Sequence, residues 1–349
     1  MAVQQDRRAA LKRLKLLVYA PKLNVDSFRS KIEETFACPV LPNHVDCTDY
    51  NYGGVSCDVL SPEIYSSRRI VIYIHGGSFV AGSRASWRGF CARLAAKSFS
   101  RVVVPEFRLA PAHPYPAALE DVQAVFRTVY TELQVACSLD ASAEKAAAHP
   151  EIIIASDGSG ASIACALLFS LREKYRAGVS RLVFFSPWLD FSEEAAAAKG
   201  KKASDELING ETLLRCGEIY TFVSNLTNPL VSPLYAAKEQ LSDFPPVYIQ
   251  CGEKELLLGD IERFSELLAS NGSQCELDVW PKMMPFFQFA DDHLWETHLA
   301  IGKAGSVISG EGDTDAGTSF HNKPRLENSL QSDASRAVLR WNFFRLQAM

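Results

Sequence analysis

The stretch that decides the fold is Ile152-Ile153-Ile154-Ala155-Ser156-Asp157-Gly158-Ser159-Gly160-Ala161-Ser162-Ile163-Ala164. Three consecutive β-branched residues followed by Ala read as a strand buried on both faces. The small-residue run after Gly160 reads as a helix packed close to that strand. Between them, Ser-Asp-Gly-Ser-Gly is turn chemistry. A strand, a tight turn of the pattern G-x-S-x-G and a helix together hold a nucleophilic Ser at the top of a sheet. Here Gly158 stands where that Ser would be. Gly also takes the strained conformation of such an apex without cost, so the turn is expected to form while its chemistry is silent.

Outward from this turn, short apolar segments alternate with helical ones. Strands are predicted at Arg69–Ile74, Arg101–Pro105, Glu151–Ala155, Arg181–Ser186, Pro246–Cys251 and Glu276–Trp280. Helices are predicted at Ser86–Ser98, Ala117–Leu133, Ala161–Lys174 and Ile261–Ser270. The alternation implies parallel strands joined by right-handed helical crossovers, hence an α/β class with a doubly wound, mostly parallel sheet. Residues 1–35 read as one or two N-terminal cap helices, and 36–308 as the core. The polar run and helix of 192–228 interrupt the rhythm. In a doubly wound fold such an insertion sits above the carboxyl ends of the strands, where ligands bind, so it is expected to form a lid with the N-terminus. Residues 309–333 are poor in apolar side chains and read as a disordered linker. Residues 334–349 carry Val338, Trp341, Phe344 and Leu346 and read as a final helix. That helix is expected to dock on the core, over the site or on a second copy, so a homodimer is one arrangement open to the chain.

Composition excludes several classes. Over 349 residues the hydrophobic fraction is 47%, the charged fraction 22% and the net charge −5. An acidic balance of this kind gives no electrostatic footprint for nucleic acid. No apolar run approaches the ~18 residues that span a bilayer, and no secretory leader is read at the N-terminus. Nine Cys without C-x-x-C pairs make neither a disulfide framework nor a zinc site. No metal or cofactor is expected, and a reducing cytoplasm is the expected compartment.

Several segments then carry a family likeness. His75-Gly76-Gly77-Ser78-Phe79 resembles the H-G-G-G oxyanion loop of the hormone-sensitive-lipase group of α/β hydrolases (α/β hydrolase fold-3). Phe107-Arg108-Leu109-Ala110-Pro111-Ala112-His113-Pro114-Tyr115-Pro116-Ala117-Ala118-Leu119-Glu120-Asp121 is similar to that group's Y-R-L-A-P-E-H-P-F-P-A-A-L-E-D. Ser186-Pro187-Trp188-Leu189-Asp190 and Ser232-Pro233-Leu234-Tyr235-Ala236 match two further segments, in family order. The resemblance implies an α/β-hydrolase fold. It also implies a divergent member: Gly158 replaces the nucleophile of G-D-S-A-G, and in Met283-Met284-Pro285-Phe286-Phe287-Gln288 the base position falls on Pro285, or on Phe286 if the alignment slips by one. Glu255, in Gly252-Glu253-Lys254-Glu255-Leu256-Leu257, is a surviving acid. Ser attacks only when a base takes its proton and a carboxylate orients that base.

What remains is an oxyanion hole and an apolar pocket. The N–H groups of Gly77, Ser78 and Ser159 are expected to converge on one oxygen, which polarises a carbonyl without covalent catalysis. His75, Gly76, Phe79, Asp157, Trp188, Phe191, Phe286 and Phe287 are expected to line the substrate site. The function expected on these grounds is non-hydrolytic. It is a cyclase, isomerase or lyase performing a cycloaddition, an aldol-type closure or an elimination on a lipophilic small metabolite in natural-product biosynthesis. Two alternatives stand beside it: a weak carboxylesterase with its nucleophile relocated to Ser159, and a small-molecule binding protein like the gibberellin receptors.

Overall fold

The computed structural model describes residues 2–20, 22–139, 150–199 and 205–310. Helices α1 (Ala2–Leu14) and α2 (Val25–Phe36) precede a hairpin of β1 (Val45–Tyr52) and β2 (Val55–Pro62). There follow β3 (Arg69–Ile74), α3 (Arg84–Ser98), β4 (Arg101–Pro105), α4 (Ala117–Leu139), β5 (Glu151–Asp157) and α5 (Gly160–Ser170). The chain continues through α6 (Glu173–Arg176), β6 (Val179–Phe185), α7 (Glu193–Lys199), α8 (Gly210–Tyr220), α9 (Lys238–Leu241), β7 (Val247–Gly252), α10 (Leu258–Ser270), β8 (Cys275–Trp280) and α11 (Trp295–Ser309).

All eight strands join one sheet in the order β1-β2-β4-β3-β5-β6-β7-β8. The β1–β2 and β2–β4 pairs are antiparallel, and every pair from β4 through β8 is parallel. The mostly parallel α/β architecture is as the alternation implies. The sheet steps one way from β3 to β4 and the other way from β5 onward. Right-handed crossovers therefore place α3 and α4 on opposite faces. The two directions diverge beside β3 and β5, and the crevice above their carboxyl ends is where such folds bind ligands. β3, β4 and β5 are buried along nearly their whole length, which is why they read as continuous β-branched runs.

Several boundaries differ from those predicted, each for a local reason. The hairpin β1–β2 escaped prediction because its strands mix polar and apolar residues and its outer face is exposed. α5 stops at Ser170, where Leu171 turns extended, and α6 is separate from it. α4 runs on past Leu133 to Leu139. α11 reaches Ser309 and is capped by Gly310 in the left-handed region, so the first residue assigned to the linker is helical. The remainder of 309–333 and the segment 334–349 lie outside the described residues, apart from Gly310. Among the described residues no helix is long and apolar enough to cross a membrane.

One buried charge fastens α3 to the antiparallel side of the sheet. Asp58 of β2 is 2% exposed and accepts from Arg88 Nε at 2.6 Å, with Arg84 Nη1 at 3.3 Å. α3 in turn carries Trp87, which reaches the site. Replacing Asp58 with Ala leaves both guanidinium groups without this partner, and should lower the unfolding free energy by about 1.5–3 kcal/mol. Asp58→Asn should lose less. Urea unfolding of the two variants measures the difference.

Candidate active site

The turn after β5 has the tight geometry its sequence calls for. Gly158 has φ +48°, and α5 starts two residues later. A Cβ built on Gly158 would stand 3.2 Å from Cε1 and Cζ of Phe286 and 3.8 Å from Nε1 of Trp188. The space above the apex is therefore bordered by an apolar ring edge on one side and an indole N–H on the other. Ser159 is buried, and its hydroxyl oxygen accepts the Phe79 N–H at 3.1 Å. Among the described residues no imidazole, amine or carboxylate is hydrogen-bonded to that hydroxyl, so it has no base to take its proton.

The loop after β3 bends over the apex. Gly77, Ser78 and Phe79 have φ of +94°, +60° and +65°. Left-handed backbone at a non-glycine residue costs on the order of 1–3 kcal/mol and persists only where neighbours hold it. Ser159 holds Phe79 through its N–H. Ser78 Oγ accepts the N–H of Tyr19, from the segment between α1 and α2, at 3.1 Å. The Phe79 ring stacks on Tyr220 of α8, with centroids 3.9 Å apart and planes 4° from parallel. Among the described residues the backbone N–H groups of Gly77, Ser78 and Ser159 donate to no protein acceptor. The N-terminal segment and the insertion thus both touch the loop that carries these free donors.

Three residues expected to meet substrate are engaged within the protein instead. Asp157 accepts from Tyr73 Oη at 2.9 Å, Trp87 Nε1 at 2.8 Å and the Gly76 N–H at 3.0 Å. Burial pushes its carboxyl up to about 7, against the pull of those three donors. It braces β3, α3 and the loop. Gly76 belongs to the same brace. His75 donates from Nδ1 to its neighbour's carbonyl, Gly76 O, at 2.9 Å. Its ring is stacked between Trp87 and Phe107 at 4.9 and 4.2 Å. Burial lowers its pKa to about 4, so it is neutral at physiological pH.

The acid and base segments meet beside the elbow, with one correction. It is Phe286, not Pro285, whose side chain faces Gly158. Phe286 takes φ +60°, and this left-handed step turns its ring toward β5. Its N–H donates to Ser186 Oγ at 3.0 Å, and Ser186 donates to Glu255 Oε1 at 2.7 Å. Glu255 Oε1 also accepts the Gly252 N–H at 2.6 Å, while Oε2 has no partner. Burial pushes the Glu255 carboxyl up to about 8, so it is protonated at neutral pH. Phe287 leaves the site: it packs on Trp280 at 5.3 Å. Trp188 and Phe191 stay, 6.2 Å apart and fully buried, with Trp188 6.5 Å from Phe286. Sequence reasoning missed Ser186, Tyr220 and Tyr19. Ser186 carried a signal, since it opens the Ser-Pro-Trp segment. Tyr220 and Tyr19 carried none.

The sequence pattern of a family described as alpha/beta hydrolase fold matches residues 71–288. An esterase of Acinetobacter venetianus is 30% identical over 68% of this chain and 73% of its own length. An acetyl-hydrolase of Streptomyces hygroscopicus is 29% identical over 70% of this chain and 77% of its own. Among solved structures, an esterase from the bacterial hormone-sensitive lipase family superposes with a TM-score of 0.73 at 25% identity, covering 88% of this chain and 97% of that one. These relatives overturn the expectation of a cyclase, isomerase or lyase. They are named for hydrolysis of esters, and nothing among them points to ring closure, isomerisation or elimination. Glycine at the nucleophile's position names no other reaction by itself.

Glu255 gives a pH signature. Its carboxyl titrates at about 8 in the folded chain against 4.5 for the unfolded group. Between these values the folded state binds the extra proton, so its contribution to stability is greatest below 4.5 and falls as pH rises toward 8. Glu255→Gln removes the titration. The variant should match the parent in melting temperature near pH 4.5 and exceed it at pH 8.5. Equal melting temperatures at both ends would show that the carboxyl is not held protonated.

Proposed function

Since this chain belongs to the α/β-hydrolase family, we propose that it is a divergent, ester-directed member that lacks the serine–histidine route of acyl transfer. The site binds carbonyl ligands of the ester class without turning them over through an acyl-enzyme. One observation carries the reading: the Phe286 ring edge lies 3.2 Å from where a Cβ at Gly158 would stand. The places of nucleophile and base are thus a glycine and a phenylalanine in contact. Neither can attack a carbonyl or move a proton.

The rest of the site supports binding. Free N–H groups at Gly77, Ser78 and Ser159 suit a carbonyl oxygen. Phe79, Trp188 and Phe191 supply apolar walls. The loss of both reacting groups has a kinetic consequence: removing Ser or His from a comparable triad costs about as much as removing the whole triad, on the order of 10⁶ in turnover. A relocated nucleophile at Ser159 is disfavoured by its engagement with Phe79 N–H.

Turnover of p-nitrophenyl acetate and butyrate is therefore expected at background. Gly158→Ser alone should stay there, because no base faces it and its Cβ presses on Phe286. The double change Gly158→Ser with Phe286→His should raise turnover by about 10²-fold, the low end of what a positioned base contributes. Adding Glu255→Gln should remove most of that gain. A parent turnover above about 1 s⁻¹, ordinary for an enzyme, that is abolished by Ser159→Ala would replace this reading with that of an esterase with a moved nucleophile.

A further inference from the structure

The cationic residues at the N-terminus divide into two sets. Ala10, Leu14 and Leu17 are buried, so α1 and the turn after it seat this side on the body. Arg7 and Arg13 flank that side and are spent on docking it. Arg7 donates to Lys282 O at 3.0 Å and Arg13 to Phe289 O at 3.1 Å, and Arg13 also pairs with Asp291. Arg8, Lys12 and Lys15 recur at i, i+4 and i+7, which places them on one face opposite the buried side. All three are exposed, and none makes a hydrogen bond or ion pair among the described residues. Offsetting the helix dipole calls for cations in the last turn only. That accounts for Lys12 and not for Arg8. Residues 1–22 hold six of the 36 Lys and Arg but one of the 41 Asp and Glu. The rest of the chain is therefore net acidic, and the positive charge is gathered at this end.

A second feature stands beside the first. α8 ends at Tyr220, and Phe222 and Val223 follow it, 81% and 54% exposed. Residues 219–237 contain no charged side chain. Both features border one loop. Tyr19, four residues past Lys15, donates its N–H to Ser78 Oγ, and Tyr220, two residues before Phe222, stacks on Phe79. A cationic helix face and an uncharged apolar tip are the two signals that together hold a protein on an anionic bilayer. A soluble polyanion would pair with the cations and leave Phe222 and Val223 in water. The acidic remainder of the chain is repelled by an anionic surface, so the molecule meets it with this end first. We propose that the outer face of α1 and the Phe222–Val223 tip dock the protein on an anionic phospholipid surface, with the loop of residues 77–79 turned toward the lipid. This docking is independent of what the site does with a carbonyl ligand.

The test is flotation of the full chain with two kinds of vesicle, phosphatidylcholine alone and phosphatidylcholine with about one-third phosphatidylserine. The chain should float with the mixed vesicles and stay behind with phosphatidylcholine alone. Raising salt from about 0.05 to about 0.3 M should weaken binding, since screening shortens the reach of the cations. The triple change Arg8→Gln, Lys12→Gln, Lys15→Gln should lower the partition coefficient about 10²-fold, at roughly fivefold per cation. A control triple, Arg68→Gln, Arg172→Gln, Lys174→Gln, has the same net charge. Its three exposed cations lie before the amino ends of β3 and β6, away from the loop. At that distance they are screened from the surface, and binding should stay within about twofold. Phe222→Ser with Val223→Ser should weaken binding about tenfold while every cation remains. If a variant does not fold, the lipid and salt dependence of the parent decides. No flotation with the mixed vesicles, equal flotation with both kinds, or an equal loss in the two triples overturns the proposal. So does capture by soluble polyglutamate of a chain that ignores the vesicles, which would make the partner an acidic protein.

Discussion

Asp157 sits at the carboxyl end of β5 with its side chain out of water, and three donors converge on it. Tyr73 comes from β3, Trp87 from α3 and the Gly76 N–H from the loop that bends over the site. A buried carboxyl is costly without partners, so these three elements are held to one another by the requirement to satisfy it. The left-handed run Gly77-Ser78-Phe79 starts directly after Gly76 and inherits its position. The brace thereby sets the position of the loop that carries the free N–H groups of Gly77 and Ser78. His75, stacked on Trp87, fills the remaining volume and stays uncharged.

A second buried carboxyl, Glu255, lies beside the same turn. Glu255 keeps the environment of an orienting acid: one oxygen is bound by Ser186 and Gly252, the other is free. An imidazolium beside it would stabilise its charge. With Phe286 there instead, desolvation prevails and the carboxyl stays protonated. Ser186 then links it to the Phe286 N–H, so a constellation suited to moving protons serves to seat an aromatic ring.

Much of this was legible in the sequence, for identifiable reasons. Ile152–Ile154 and the Gly-Ser-Gly turn announce their geometry locally, because burial on both faces and a strained apex each restrict residue type. The parallel sheet follows from alternation. The roles of individual residues depended on side-chain direction, which spacing along a loop does not determine. Asp157 and His75 face inward because strand residues alternate and the loop folds back. Phe286 rather than Pro285 reaches Gly158 because one residue takes a left-handed step. Phe286 and Phe287, adjacent in sequence, end on different neighbours for the same reason. The hairpin of β1 and β2 lay in mixed polar sequence, although Gly53-Gly54, both with positive φ, is a two-residue turn signal that was there to be read.

An absent nucleophile excludes a mechanism; it does not select another. The relatives are named for ester hydrolysis, while in this chain Gly158 stands at the turn's apex with the Phe286 ring beside it. The turn and the loop need no polar side chain at that apex to keep their shape, because Asp157 holds the loop and Ser186 seats Phe286.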